Sequence, residues 1–491
     1  MIEEENSAGQ ILKASAIMGS SSVIIIGAGI INAKIMAVLL GPQGIGLLSI
    51  LSAIFNMIGA LFGMGIASSG VRQIAEAHYS GDQANVTLVR RSILLAANVL
   101  GLLGALTIII FRVPIVMVSF SSTQYLGLIP WLGLGVWASI VAGALTAFLN
   151  GLRRIGDLAK INVIGSLGGM LIGVVAVLRL GTSGVPMIVI GSPIVTLLAC
   201  FLYARKVNVS KIKSSLSDII RPMKYLFRLG LVFMLTGFMQ VGTQYVVRVI
   251  ITRTLGLAAT GQFQATWNIS MMYLGFVLTA MAVDYYPRLT AVAKDNKVVN
   301  YTVNEQARIA MLLAGPVILG MLTFSFLVIR ILYTNAFGPA VGILHWQLMG
   351  DIFKVAGWAM GYILLAQAHG RIYFITELFW NSCYIFLLFG GIRFWGLEAT
   401  GTAFLLSYIL YFFFMWFLTF KITGFTWSRE NQRLLLLMTG CLFVFIYIRY
   451  LPGIFPLLIG CILTAGMGTY SLARLFVLLG KPNLRYIFGH H

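Results

Sequence analysis

Ionisable side chains lie inside several long apolar runs of this sequence. Asp351 and Lys354 share one run, and their i, i+3 spacing places both on the same face of a helix. Lys34 lies late in the first run, and Glu377 lies in the run that follows Lys354. A charge near the centre of a membrane-spanning helix costs about 2.5–3.5 kcal/mol on insertion scales. These residues therefore predict a polar site inside a membrane protein.

Further charges near the ends of apolar runs extend this candidate site. Two arginines lie near the end of the seventh run, and an aspartate lies near the end of the eighth. Cations outnumber acids among the residues expected in the outer part of the bundle. This balance favours an anionic ligand such as a phosphate or diphosphate over a cationic drug. The predicted substrate-binding residues are Lys34, Arg248, Arg253, Asp284, Asp351, Lys354 and Glu377.

Each member of this set also has a purely structural explanation. The pair Asp351 and Lys354 would neutralise each other in a packed bundle, and the glutamate of the next run would pair with a basic neighbour. Lys34 would extend to the membrane interface, as long cationic side chains do near helix ends. The two arginines would be ordinary loop charges, and Asp284 would cap a helix or pair at a gate. The sequence leaves both explanations open.

The composition indicates a protein embedded in a membrane. Of 491 residues, 59% are hydrophobic and 10% are charged, and the mean hydropathy is +0.93. A soluble domain carries about 25% charged residues. The net charge of +20 comes from lysines and arginines in short loops between apolar runs, so it reports membrane topology. We therefore expect no nucleic-acid partner.

The sequence contains no motif for covalent chemistry. It has no CxxC or HExxH metal spacing and no GxxxxGK[ST] phosphate loop, so we expect no metal, no cofactor and no ATPase site. The five histidines form no cluster with acids, which disfavours a membrane glycosyltransferase or ligase. The acidic start, with Glu3, Glu4 and Glu5, is unlike a cleavable signal peptide. We predict a transporter rather than an enzyme.

Fourteen apolar runs are long enough to cross the ~30 Å hydrocarbon core of a bilayer. Helices are expected because a chain in lipid must satisfy its own backbone hydrogen bonds. The runs lie near 13–40, 45–70, 90–111, 124–149, 159–178, 184–204, 226–251, 260–286, 308–333, 341–367, 372–392, 398–420, 434–450 and 454–478. The predicted fold is an all-α polytopic membrane protein of about fourteen transmembrane helices.

The distribution of lysine and arginine predicts the orientation in the membrane. These residues are concentrated in the loops after the even-numbered runs, which places both termini in the cytoplasm. Arg72, Arg153 and Arg288 belong to these basic loops. We expect them to attract an anionic head group at a cytoplasmic entrance.

The two halves of the sequence repeat each other. Leu40-Gly41 recurs as Leu255-Gly256 after 215 residues, and Arg154-Ile155 recurs as Arg371-Ile372 after 217. Such repeats predict two pseudo-symmetric six-helix bundles that share an axis normal to the membrane. The predicted domains are an N-terminal lobe 1–204, a cytoplasmic linker 205–228, a C-terminal lobe 229–421, and an additional hairpin with a tail 422–491.

Four stretches of the sequence carry a resemblance to a known family. They are Ala33–Gly46 (AKIMAVLLGPQGIG), Gly63–Ala75, Asn150–Arg153 and Trp346–Glu377 (WQLMGDIFKVAGWAMGYILLAQAHGRIYFITE). These stretches resemble the Wzx-type polysaccharide flippases of the multidrug/oligosaccharidyl-lipid/polysaccharide (MOP) superfamily. The likeness is greatest to the flippases of enterobacterial common antigen and O-antigen synthesis. The hairpin beyond about residue 430 departs from the twelve-helix members.

The resemblance implies a function and a mechanism. Such a flippase moves an undecaprenyl-diphosphate-linked oligosaccharide from the cytoplasmic to the periplasmic leaflet of the bacterial inner membrane by alternating access. The family has two lobes in a V with a cationic cavity, and by resemblance Lys34, Asp284, Asp351, Lys354 and Glu377 would contact the substrate. Membrane lipids, a polysaccharide polymerase and a chain-length regulator are the expected partners. A MATE-like cation-coupled drug exporter and a lipid II flippase remain the alternatives.

Overall fold

The computed structural model describes residues 2–207, 216–448 and 451–479, which together are helical and contain no strand. Part of the predicted linker and most of the C-terminal tail lie outside these residues. The helices are α1 Ile2–Gly63, α2 Ile66–Tyr79, α3 Gln83–Ile110, α4 Arg112–Phe120, α5 Ile129–Gly151, α6 Ile155–Leu180, α7 Val185–Arg205, α8 Leu216–Leu255, α9 Leu257–Ala291, α10 Asn296–Thr323, α11 Ser325–Leu332, α12 Ala340–Ala366, α13 Gly370–Trp395, α14 Ala399–Thr423, α15 Arg429–Ile448 and α16 Phe455–Leu479.

The apolar helices confirm the predicted class of an all-α polytopic membrane protein. Among the described residues, nine stretches are long and apolar enough to cross a membrane. Two of these stretches, Ile155–Arg205 and Gly370–Thr423, each contain two helices joined by a short 3-10 turn. The number of fourteen transmembrane helices stays a prediction.

The first two predicted spans form a single bent helix. Gly41 has φ 61° and ψ −174°, which kinks α1 without ending it. The helix ends at Gly63, because Met64 and Gly65 both have positive φ, which lies outside the right-handed helical region. The expected end of the first span at Gly41 and the expected end of the second near residue 70 are therefore both wrong.

Helix lengths and caps repeat along the chain, as the sequence predicts. The helices α3 and α10 both have 28 residues, and each begins after an aspartate, Asp82 or Asp295, whose side chain accepts a hydrogen bond from the first turn. The helices α6 and α13 both have 26 residues. Gly181 and Gly396, which follow them, have φ/ψ of 58°/−132° and 53°/−129°. The two halves thus share one backbone plan.

One predicted repeat pair is wrong, namely Arg154-Ile155 with Arg371-Ile372. The turns before α6 and α13 each contain a left-handed residue, Arg153 with φ 56° and Ala368 with φ 58°. In each turn the next amide donates a hydrogen bond five residues back, which is the closing bond of a helix C-terminus. These left-handed residues lie 215 residues apart, so Arg371 is displaced by two positions from the counterpart of Arg154.

The chain folds into two compact units. Unit 1 comprises Met1–Gln262 with Leu332–Thr334, and unit 2 comprises Phe263–Ile331 with Asn335–His491. Within unit 1, α3 packs against α5, and α6 packs against α7 and α1. Within unit 2, α12 packs against α14 and α10, and α10 packs against α16. The four predicted domain ranges stay predictions.

Unit 1 contains a close backbone approach that requires glycine on both helices. A Cβ atom at Gly46 of α1 would lie 1.9 Å from the carbonyl oxygen of Leu257 in the first turn of α9. A Cβ atom at Gly261 would lie 1.9 Å from the carbonyl oxygen of Pro42. Small residues allow helix backbones to approach this closely in membrane proteins. The two glycines therefore fix the packing of α9 on α1.

In unit 2, a polar contact attaches the start of α15 to α10. The Asn304 side-chain carbonyl accepts hydrogen bonds from the Ser428 amide at 2.7 Å and from Asn431 Nδ2 at 3.0 Å. Its Nδ2 donates to the Thr426 carbonyl oxygen at 2.9 Å. Both asparagine side chains are buried. One side chain thus satisfies several backbone and side-chain groups of the predicted extra hairpin.

We expect Asn304→Leu to lower the thermal midpoint of the detergent-purified protein. The change leaves buried polar groups of Ser428 and Asn431 without partners, at a cost of about 1–3 kcal/mol per group. Asn162→Leu, an exposed site on α6, is the matched control and should leave the midpoint unchanged. Equal midpoints for the two variants would contradict this role of Asn304.

Candidate functional site

A buried cluster of ionisable groups lies in unit 2 on α12 and α13. Asp351 and Lys354 are one turn apart on α12, and Glu377 is on α13. The ammonium of Lys354 interacts electrostatically with both carboxylates. Asp351 is fully buried, and Lys354 and Glu377 are partly buried. The structure thus brings together three residues of the predicted site.

Hydroxyl groups from neighbouring helices complete the cluster around its two carboxylates. On α9, Ser270 donates a hydrogen bond to Asp351 Oδ2 at 2.7 Å, and Tyr273 donates to the same oxygen at 2.5 Å. On α14, the Tyr411 hydroxyl donates to the Glu377 carboxylate. Hydrogen bonds to an ionised acceptor are stronger than neutral ones. Four helices therefore hold the carboxylates in place.

The ammonium of Lys354 lies among aromatic rings and a thioether. Its Nζ is 5.5 Å from the ring centroid of Tyr408 and 5.8 Å from that of Phe404, both within cation–π range. The Sδ of Met271 lies 3.6 Å away. Because these partners are only weakly polar, the nearby carboxylates carry most of the compensation for burying this charge.

Several buried polar atoms of this cluster have no hydrogen-bond partner among the described residues. They are Asp351 Oδ1, both side-chain polar atoms of Gln347, and Nε1 of Trp380. Gln347 is fully buried and lies one turn before Asp351 on the same face of α12. Native proteins satisfy most buried polar groups, so such atoms indicate a place for water or a polar ligand.

The sequence analysis missed the polar and aromatic residues that complete this cluster. Gln347 could have been found, because it lies at i−4 from Asp351 inside an apolar run. The tyrosines and Trp380 gave no comparable signal, since aromatic residues are common in apolar helices of any role. The residues missed are Ser270, Tyr273, Gln347, Trp380, Tyr408 and Tyr411.

The cationic residues of the predicted site in unit 1 bind to neutral oxygens. Arg248 on α8 is buried, and it donates to Ser49 Oγ on α1 at 2.8 Å and to the Gln244 carbonyl oxygen at 2.7 Å. Arg253 is exposed, and its Nε donates to Ser121 Oγ at 3.0 Å. Lys34 Nζ donates to a main-chain carbonyl oxygen, that of Tyr333.

The remaining predicted residues lie at exposed positions. Asp284 and Arg288 form an ion pair with each other at 3.0 Å on α9, and Arg72 pairs with Glu76 at 2.8 Å on α2. Arg153 is exposed in the left-handed turn before α6. Exposed ion pairs of this kind contribute little stability, so these arginines could exchange partners for an anionic group.

Among the described residues, no group of three or more histidine, cysteine, aspartate or glutamate side chains could hold a metal ion. The cluster on α12 and α13 has its own cation in Lys354. Ionisable groups buried inside membrane-spanning helices are typical of proteins that transport polar substrates or ions. The fold and this site together define a membrane transporter.

Comparison with known proteins identifies the family. Residues 35–342 match the profile of the family described as polysaccharide biosynthesis protein, and the chain belongs to this family. The Lipid III flippase of Escherichia coli (strain K12) is 26% identical over 410 residues, which cover 82% of this chain and 96% of that protein. The Lipid III flippase of Shigella flexneri matches to the same extent.

Solved structures show the same fold. The lipid II flippase MurJ in an inward closed conformation matches with a TM-score of 0.72 and 14% identity, covering 95% of this chain and 100% of that one. An inward-facing MATE family transporter of the MOP superfamily matches with a TM-score of 0.70 and 15% identity, covering 81% and 95%. The predicted membership of the MOP superfamily is confirmed.

Proposed function

We propose that this protein is a flippase for an undecaprenyl-diphosphate-linked oligosaccharide, which it moves from the cytoplasmic to the periplasmic leaflet. The observation that carries the proposal is the similarity to the Lipid III flippase over 96% of that protein's length. We assign the substrate to the lipid-linked repeat unit of enterobacterial common antigen or of O-antigen. The protein would reside in the bacterial inner membrane with both termini in the cytoplasm.

The physical task of such a protein is to carry a polar head group through hydrocarbon. A diphosphate and its sugars cannot cross lipid unaided, because burying unpaired charges and polar groups is costly. A protein with alternating access provides a polar path while the lipid tail stays in the bilayer. The sequence has no phosphate-loop motif, so the step needs no ATPase site in this chain.

We propose that the predicted residues contact the substrate in two chemical roles. The cationic side chains of Lys34, Arg248, Arg253 and Lys354 would bind phosphate oxygens. Asp351 and Glu377 would hold Lys354 in position and pair with it when no substrate is bound. Buried polar atoms such as those of Gln347 would bind sugar hydroxyl groups.

The exposed arginines would act before substrate binding. Arg72, Arg153 and Arg288 lie in loops or helix ends that the distribution of charge assigns to the cytoplasm. With Asp284, which pairs with Arg288, they would raise the local concentration of an anionic head group by electrostatic attraction. A polysaccharide polymerase and a chain-length regulator would use the product on the periplasmic side.

The proposal is tested by complementation in a strain that lacks its own flippase. We expect wild type to restore surface polysaccharide. Arg248→Met should reduce it by at least about tenfold, since a lost charged hydrogen bond is worth ~1.5–3 kcal/mol. Arg248→Lys should fall between them, because lysine lacks the planar fork of arginine. Surface polysaccharide is measured at matched membrane expression.

Arg179→Met, at an exposed position in the last turn of α6, is the control and should behave as wild type. Failure of the wild-type protein in strains for both common antigen and O-antigen would refute the proposed function. A gain of resistance to cationic drugs in those strains would instead favour the exporter. Wild-type activity of Arg248→Met would refute the role of Arg248 alone.

A further inference from the structure

A second charged cavity lies in unit 2, away from the cluster around Lys354. It has a volume of about 240 Å³ and lies between α10, α15 and α16. Its polar lining includes Arg308 from α10, Arg433 and Glu430 from α15, and Arg474 from α16. The rest of the lining is largely apolar and includes leucine and valine side chains. None of these residues belongs to the predicted substrate site.

The charges that line this cavity do not balance. Among the described residues of the lining, three are arginines and one is a glutamate. Arg308 Nη1 pairs with Glu430 Oε2 at 2.5 Å. Arg308 Nε is buried without a hydrogen-bond partner among the described residues, so the single carboxylate does not satisfy this guanidinium. The cavity therefore has an excess of two positive charges and unused donor capacity.

The cavity lies at one end of the three helices. The start of α15 contacts α10 through Asn431 and Asn304, and Arg433 follows half a turn later. Arg474 lies five residues before the end of α16, the helix of the hairpin that returns to this end. The concentration of lysine and arginine in the adjoining loops predicts that this end is cytoplasmic.

Apolar side chains continue from the cavity along the outer surface of the hairpin. Leu436 is 72% exposed and Phe476 is 71% exposed, and both are close in sequence to cavity arginines. Exposed residues of this size on a membrane-spanning hairpin face lipid. A ligand here would thus have its anionic group among the arginines and its apolar chain along α15 and α16.

We propose that this cavity binds the phosphate group of a membrane lipid. Arginine binds phosphate oxygens through paired N–H donors, which suits a lipid phosphate better than a single carboxylate. Basic pockets between transmembrane helices on the cytoplasmic side recognise anionic head groups. The lipid is either a bulk anionic phospholipid or a polyprenyl diphosphate. The proposal does not depend on transport, because lipid retention measures it directly.

The test uses native mass spectrometry of the full-length protein purified in detergent. Phosphatidylglycerol and undecaprenyl diphosphate serve as separate probes, with phosphatidylcholine as the zwitterionic reference. We expect the double variant Arg433→Gln/Arg474→Gln to retain about tenfold less of at least one anionic probe than wild type. Arg429→Gln removes the same charge from the start of α15 outside the cavity, and it should retain both probes as wild type does.

A variant with increased binding guards against simple misfolding. Glu430→Gln removes the carboxylate that competes for Arg308, so we expect it to retain more of the anionic probe than wild type. Loss of phosphatidylglycerol alone in the double variant assigns a bulk phospholipid, and loss of undecaprenyl diphosphate alone assigns the polyprenyl lipid. Loss of both assigns the shared phosphate group. Unchanged retention of both probes in the double variant and in Glu430→Gln overturns the proposal.

Discussion

Replacement of Lys354 with methionine is expected to abolish complementation and to destabilise the protein by about 3–5 kcal/mol. The change removes the ammonium that lies near Asp351 and Glu377. Both carboxylates then stay in an apolar interior with hydroxyl donors alone, and a buried charge that loses its partner is strongly unfavourable. The measurements are the thermal midpoint of the purified protein and surface polysaccharide in the complemented strain.

Two further variants separate the structural role of Lys354 from its role in transport. Lys421→Met removes an exposed lysine from α14 and should leave stability and transport unchanged. The triple variant Lys354→Met/Asp351→Asn/Glu377→Gln removes all three charges, so we expect it to regain stability without regaining transport. Transport by the triple variant would show that the cluster is structural. Wild-type behaviour of Lys354→Met would refute its importance altogether.

Gly46→Ala is expected to produce the second large effect, although it adds a single methyl group. The new Cβ atom would lie 1.9 Å from the Leu257 carbonyl oxygen, so α1 and the start of α9 must move apart. Overpacking a tight contact costs about 1–3 kcal/mol, and displacement of backbone rather than side chain places this change at the upper end. We expect a lower thermal midpoint and a lower yield of folded protein.

Gly59→Ala on the same helix is the matched control. No atom lies within 4 Å of a Cβ at this position, and alanine is a better helix former than glycine by ~1 kcal/mol. It should be neutral or slightly stabilising. Gly261→Ala should resemble Gly46→Ala, and the double variant should cost less than the sum, since both changes separate the same helices. Additive effects would contradict a shared contact.

The backbone repeat was partly predictable, and its register was not. Gly41 and Gly256 share an offset of 215 residues, and the structure repeats this offset at Gly181 and Gly396. The arginine pair at 217 misled because similar loop residues recur wherever a cytoplasmic turn is basic. The left-handed residues Arg153 and Ala368 set the true register, and side-chain types alone do not show a backbone angle.

The buried residues show a similar division. The sequence predicted Asp351, Lys354 and Glu377 as candidates because a charge inside an apolar run is costly whatever surrounds it. It did not predict Gln347, Tyr273 or the cavity of Arg433 and Arg474, since these depend on which helices are neighbours. The seven-residue substrate site as a whole stays a prediction.

By itself, the sequence determined the membrane class, the helical fold, the family and the residues whose burial demands compensation. These follow from composition, run length and similarity, which are properties of the chain in order. Tertiary structure alone decided which hydroxyl groups bind Asp351, which backbones meet at Gly46 and Gly261, and which arginines share a cavity. Such contacts join residues far apart in the chain, and helix packing rather than local periodicity selects them.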